Sequence, residues 1–329
     1  NPKSTRTMKK KNNKKVIYKK SKDKSELIRE ELGVSYLPAD RQADIVEKDL
    51  PSVDIKKYEH PKTTIFNDID LNNWKYYSDI ITDSLWLLGA RDKSGAHSGE
   101  YHGNFIPQIP HQAILRYTKK REIVLDTFLG SGTTLIECKR LGRHGIGIEL
   151  LSNMVKRAKE LISQEQNQFK VKTDIIEGDN TVPETIEKVK KTLKQNYNAE
   201  KVQLIIMHPP YHDIIKFSDN PNDLCNTKTT DEFLNKFSQV VKNTHPLLDE
   251  KRFLVLVIGD KYSQSEWVPL SFYTMQKVLE NGYKLKSIVI KNISGNRAKR
   301  NAEQLWRRRA LGGGFYIFKH EYIMFFQKR

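Results

Sequence analysis

Asp126-Thr127-Phe128-Leu129-Gly130-Ser131-Gly132-Thr133-Thr134 closes the apolar run at residues 123–128 and opens onto Leu135, Ile136 and Cys138, which continue as one face of a helix. Strand, glycine turn and helix in that order make a βα unit, and the glycines let a ligand approach the backbone closely. The turn lacks the Gly-Lys-Ser/Thr of a phosphate-binding P-loop and carries no basic residue, so a triphosphate cradle is not expected there.

Outward from this stretch, short β-rich runs at residues 123–128, 145–150, 171–176, 202–207, 253–258 and 285–290 alternate with longer helix-like segments. That alternation predicts an α/β domain built on a mostly parallel sheet. The final run, residues 316–326, follows Gly312-Gly313-Gly314 with too few residues for a crossover helix, so an antiparallel last strand is expected. Ligands in such sheets bind at the carboxyl ends of the strands, which singles out the residues just after each run.

Three successive strand tips carry suitable groups. The first offers the glycine turn. The second ends Gly147-Ile148-Glu149, and a carboxylate there accepts from both hydroxyls of a ribose. The third ends Gly178-Asp179-Asn180, where Asp179 accepts from an adenine amino group. Capping of the following helices is the plainer reading of Glu149 and Asp179 taken singly. Taken in order, the three tips point to an adenosine cofactor, either NAD or S-adenosylmethionine.

The glycine stretch resembles the amino-methyltransferases of DNA, whose loop reads Asp-Pro-Phe-x-Gly-Ser-Gly-Thr-Thr; only Thr127 departs from it. Asn104-Phe105-Ile106-Pro107-Gln108-Ile109-Pro110 looks like the family segment that closes over the methionine end of the cofactor. The resemblance covers residues 95–329 and implies a Rossmann-like methyltransferase fold with S-adenosylmethionine as cofactor. It also implies a cofactor site of Phe105, Ile106, Pro107, Asp126, Phe128, Gly130, Ser131, Gly132, Thr133, Glu149, Asp179 and Asn180, with Asp126 facing the methionine amino group.

The fourth run leads directly into His208-Pro209-Pro210-Tyr211. Two prolines stop the strand and hold rigid carbonyls outward, and a following ring gives a stacking face for an extruded base. An exocyclic amine is a poor nucleophile until acceptors draw its lone pair out of the ring. The Pro209 carbonyl and the side chain at position 208 are the acceptors expected. The family begins this motif with Asp, Asn or Ser, whereas this chain has histidine, which accepts only when neutral. His208 therefore leaves adenine N6 and cytosine N4 both open, and leaves open a non-catalytic cofactor-binding subunit. The order of closing segment, glycine loop and Pro-Pro-Tyr resembles members that more often read adenine. Neither Cys138 nor Cys225 follows a proline, as methylation at cytosine C5 would need.

The 329 residues carry a formal net charge of +17, which suits a polyanion. DNA is the partner expected, with RNA the alternative and a further subunit or a homodimer allowed. Arg297, Lys299 and Arg300, followed by Trp306 and Arg307, Arg308 and Arg309, form an arginine-rich loop between the last two runs, suited to phosphate contact. A solvated basic helix is the plainer reading. The segment from His212 to Lys228 reads as a mobile cover over the target pocket, to which Asp213, Lys216 and Ser218 contribute, although ordinary loop polarity accounts for those three equally well. Residues 1–25 read as a basic flexible arm, 26–94 as a segment of unclear role, and 95–329 as the catalytic domain. The two cysteines belong to no metal-ligand pattern, and no metal site is expected. No apolar run approaches the roughly 20 residues of a membrane span, and a cytoplasmic protein is expected, nucleoid-associated if it is bacterial.

Overall fold

The computed structural model describes residues 62–101, 103–293 and 303–329. The basic arm at 1–25 and residues 26–61 of the next segment lie outside the described residues. The described chain runs through β1 (Leu85–Trp86), α1 (Gln108–Tyr117), β2 (Ile123–Asp126), α2 (Thr133–Leu141), β3 (His144–Glu149), α3 (Ser152–Gln164) and β4 (Thr173–Glu177). It continues through α4 (Pro183–Thr192), β5 (Val202–Met207), α5 (Thr230–Thr244), β6 (Leu248–Ile258), β7 (Lys261–Ser263), β8 (Glu266–Val268), α6 (Leu270–Glu280), β9 (Tyr283–Asn292), α7 (Glu303–Gly313) and β10 (His320–Lys328).

Eight strands form one sheet in the order β1-β9-β10-β6-β5-β2-β3-β4. β2 pairs in parallel with β3 and with β5, β3 with β4, β5 with β6, and β1 with β9; β10 lies antiparallel to both β6 and β9. The chain therefore builds outward from β2 through β3 and β4, returns, and builds the other way from β5 to β6. The carboxyl ends of β2 and β5 form the switch point at which doubly wound sheets bind ligands.

Both faces of the sheet are covered, which is why its central strands are apolar throughout instead of alternating with polar residues. On β5, Ile205 and Met207 pack on one face with Phe233, Phe237 and Val240 of α5, and Leu204 and Ile206 pack on the other with Ile109 and Ile114 of α1. The second layer also takes in Trp86 of β1, with Phe66 packed against it, its ring 5.1 Å from that of Phe253. The described residues all belong to one compact unit, His60–Arg329, and the boundary expected at residue 95 falls inside it.

Two expectations are corrected. The arginine cluster expected in a loop lies partly on α7, because Gln304 to Leu311 is a run of good helix formers that stops only at the glycines, Gly314 taking φ +68°. The last strand begins at His320 and not at Tyr316, since the first residue pair available on its neighbour is Asn292 with His320, and Tyr316 is left 86% exposed.

Candidate active site

The glycine loop is braced from beneath by Asp126. This fully buried carboxylate accepts the Phe128 N–H at 2.9 Å and the Thr134 hydroxyl at 2.5 Å, and burial pushes its pKa up to about 6 against those two bonds. Asp126 does not line the cleft, so the expectation that it faces a methionine amino group gives way to a role in holding the loop. Gly130 and Gly132 take φ of +55° and +94°. A side chain at Gly132 would place its Cβ 2.9 Å from Ile162, and the loop folds this tightly only with glycine there. Ser131 and Thr133 are buried behind the loop, Ser131 hydrogen-bonded to Asn104 of the upstream segment.

Glu149, at the tip of β3, accepts the Gly130 N–H at 2.8 Å on one oxygen and the Leu151 N–H at 2.9 Å on the other. Burial raises its pKa to about 7 in spite of these bonds. Each oxygen keeps a further lone pair, so the carboxylate retains acceptor capacity for a diol. At the tip of β4, Asp179 Oδ1 accepts from the backbone and hydroxyl of Thr181, and Asn180 donates to the Thr127 carbonyl at 2.6 Å, tying the β4 and β2 tips together. The Thr127 hydroxyl is buried with no hydrogen-bond partner among the described residues. These groups fit an adenosine cofactor: a carboxylate acceptor on Glu149 that suits a diol, another on Asp179 that suits an amino group, and a backbone turn without cations to attract phosphate.

At the tip of β5, His208 is packed against Phe105, ring centroids 4.9 Å apart, and meets Tyr211 edge-on. Burial lowers the His208 pKa to about 4, so the ring is neutral at physiological pH. Its Nε2 lies 3.2 Å from the Tyr211 hydroxyl, which donates to Glu321 at 2.7 Å; the other Glu321 oxygen pairs with Lys291 at 2.9 Å. Burial works to raise Glu321, but the Lys291 charge, with His208 and Tyr211, holds it below the usual carboxylate value. Tyr211 is pushed well above its ordinary value by burial and by the neighbouring Glu321 charge, so its proton stays on oxygen.

These groups open on one cleft of about 870 Å³ at the switch point. Of the residues expected from sequence, Phe105, Ile106, Phe128, Gly130, Glu149, Asp179, Asn180 and His208 to Tyr211 line it; Pro107, Asp126, Ser131, Gly132 and Thr133 do not. Pro107 instead starts α1. Arg307, Arg308 and Arg309 are exposed on α7 and do not line the cleft, while Arg297, Lys299 and Arg300 lie outside the described residues. Lys291 and Glu321 line the cleft and escaped sequence reading as site residues, although a carboxylate inside the apolar run of β10 was a usable signal.

The segment expected as a mobile cover forms a wall of the cleft through Ile214, Ile215 and Phe217. Its polar residues serve the wall itself. Asp213 takes the Lys261 ammonium at 2.7 Å, Ser218 donates to Asp223 at 2.8 Å, and Lys216 pairs with Asp219 at 2.5 Å.

Behind the glycine loop, Glu137 of α2 accepts His97 on one oxygen and His111 of α1 on the other, both at 2.6 Å. Where no metal pattern was expected, Asp92, His97 and Glu137 bring a ligand atom each within 4.8 Å of one another. The Arg140 guanidinium already supplies a cation there, 3.7 Å from Glu137 and 3.8 Å from Asp92. No helix among the described residues is long and apolar enough to cross a membrane.

Residues 1–160 match the family model N6_N4_Mtase, described as DNA methylase. The matched stretch holds the glycine loop and Glu149 and stops short of His208. The Type II methyltransferase M.HpaI of Haemophilus parainfluenzae is 45% identical over 122 residues, 34% of this chain and 38% of that protein. M.MjaII of Methanocaldococcus jannaschii, also a Type II methyltransferase, is 29% identical over 183 residues, 56% of this chain. The chain thus spans only 28% and 38% of the lengths of these curated relatives. Among solved structures, TrmN from Thermus thermophilus is similar at a TM-score of 0.43 and 14% identity, over 68% of this chain and 49% of that one. By the family match over residues 1–160 and by these relatives, the chain is similar to the N6/N4 DNA methylases.

Proposed function

We propose that this chain methylates an exocyclic amino nitrogen of a base in DNA, adenine N6 in preference to cytosine N4, as the sequence-specific modification activity of a restriction-modification system. The observation that carries the reading is a neutral histidine beside Pro209 and Tyr211 in the cleft that also holds Gly130 and Glu149. The carbonyl of Pro209 and the unprotonated nitrogen of His208 accept the two amine hydrogens, and the lone pair of the target nitrogen is drawn out of conjugation. The Tyr211 ring offers the base a face to stack on. S-adenosylmethionine, the cofactor of the family, supplies when bound an electrophilic methyl group. Glu149 would hold its ribose, Asp179 its adenine, and Phe105 and Ile106 its methionine end. The chain's own contribution is positioning and a fixed pair of acceptors, with no covalent enzyme intermediate.

Arg307, Arg308 and Arg309, with Arg297, Lys299 and Arg300, supply phosphate contacts in this reading.

Labelled cofactor with duplex DNA of mixed sequence, followed by mass spectrometry of the nucleosides, tests the proposal. N6-methyladenine is the product expected. N4-methylcytosine would correct the base, product only with structured RNA would replace the substrate, and turnover only after a second subunit is added would make this chain a cofactor-binding partner.

A further inference from the structure

The site holds a chain of four polar side chains, buried Lys291 and Glu321 followed by half-buried Tyr211 and His208, drawn from β9, β10 and the tip of β5. Its hydrogen-bond polarity runs one way. Glu321, 9% exposed, takes the Lys291 ammonium on one oxygen and so stays an ionised acceptor. An ionised carboxylate cannot donate, and the 2.7 Å contact with Tyr211 therefore consumes the only hydroxyl proton of the tyrosine. What the Tyr211 oxygen has left for His208, 3.2 Å away, is a lone pair, and only an Nε2–H can use it.

We propose that Lys291 and Glu321 are positioning residues that act through Tyr211 to hold His208 as the Nε2–H tautomer, which leaves Nδ1 as the acceptor for the target amine. Nδ1 has no hydrogen-bond partner among the described residues. The lowered pKa of the ring agrees, since an imidazolium would have no acceptor at all. This inference deepens the proposed function and rests on its reading of His208, and it accounts for how histidine serves at a position the family fills with Asp, Asn or Ser. An aspartate accepts in any orientation. A histidine accepts only in one tautomer, so it needs a group elsewhere in the fold to choose that tautomer, and Glu321 lies 110 residues away on the last strand. Without the carboxylate, the Tyr211 proton turns to Nε2 and the ring proton moves to Nδ1; the number of protons is unchanged and the acceptor is lost.

The test is nitrogen NMR of the full chain labelled at histidine, with the His208 resonances assigned by their loss in His208→Ala. The native chain at pH 7 should show a protonated Nε2 and an unprotonated Nδ1. Glu321→Leu should reverse the assignment and lower turnover about a hundredfold with cofactor affinity kept. Glu321→Gln, whose single amide oxygen is taken by Lys291 and whose NH2 then faces the Tyr211 oxygen, should lose the native tautomer as well. Should Glu321→Leu fail to fold, Tyr211→Phe removes the same constraint and should give a mixture of tautomers. A protonated Nδ1 in the native chain, or a native tautomer in both Glu321→Leu and Tyr211→Phe, overturns the proposal. Loss of tautomer control in the variants together with full turnover in His208→Ala would leave the tautomer account standing and remove the acceptor role from the function.

Discussion

At position 208 the chemistry depends on a proton being absent. Free histidine titrates near 6.5, and burial brings His208 down to about 4. A base with a depressed pKa stays neutral until the pH falls to the lowered value, so the acceptor survives well below the ordinary histidine range. Turnover measured between pH 5.5 and 8 should accordingly show no acid limb near 6.5 belonging to His208; a limb there that disappears in Glu321→Gln or shifts with it would contradict the account. Glu149 behaves in the opposite sense. Its raised pKa of about 7 makes the carboxylate protonated below that value and ionised above it, so cofactor affinity should weaken as the pH falls through about 7. Glu149→Gln should bind cofactor about tenfold to a hundredfold more weakly and lose that pH dependence, as calorimetry can measure. Single residues were legible in sequence where a motif spaced them locally, as with Gly130, Glu149 and His208 to Tyr211. Lys291 and Glu321 were not, because their relation to Tyr211 exists only once β10 inserts between β6 and β9.

Among the elements, β5 was legible to the residue, since a continuous apolar run ended by two prolines leaves little freedom at either end. The ends of β4, β9 and β10 were not, because register with a neighbour sets them and the sequence carries no mark of it. Helix α7 shows the same limit in another form: an arginine cluster beside glycines suggests a loop, yet good helix formers precede the glycines. Three exposed arginines in one turn of a short helix, with the Arg309 guanidinium 5.2 Å from the Trp306 ring, concentrate positive charge there. Replacing Arg307, Arg308 and Arg309 together by alanine should weaken duplex binding and reduce the salt slope by about three counterions if each meets a phosphate. Fluorescence anisotropy across a salt series reads both quantities. An unchanged slope would take α7 out of the nucleic-acid interface.

At the scale of the whole molecule, the parallel sheet follows from the alternation of apolar runs and helical stretches, and both were plain in the sequence. The contribution of residues 62–94 was not, because a strand of two residues and scattered aromatics have no period to detect, although Trp86 ends up 3% exposed in the second core layer. The clasp of His97 and His111 on Glu137 joins the upstream loop, α1 and α2 behind the glycine loop. Burial works against the charge on His111, but the Glu137 bond and charge prevail and raise its pKa. A histidine raised in this way contributes stability that is fully present below about 6.5 and is lost as the pH rises through its folded value. The difference in urea midpoint between the native chain and His111→Gln should therefore be larger at pH 6 than at pH 9; an equal difference at both would show that the clasp carries no charge.

All three scales meet in His208, which the fold half-buries, which Tyr211 links to the last strand, and which the proposed chemistry uses. The most direct test is a paired measurement on His208→Ala: cofactor dissociation constant by calorimetry, and single-turnover methyl transfer to duplex DNA with the product read as nucleoside mass. The account predicts an affinity within about twofold of the native chain and a transfer rate lower by about 10²-fold or more. Native rates of transfer in His208→Ala would contradict it.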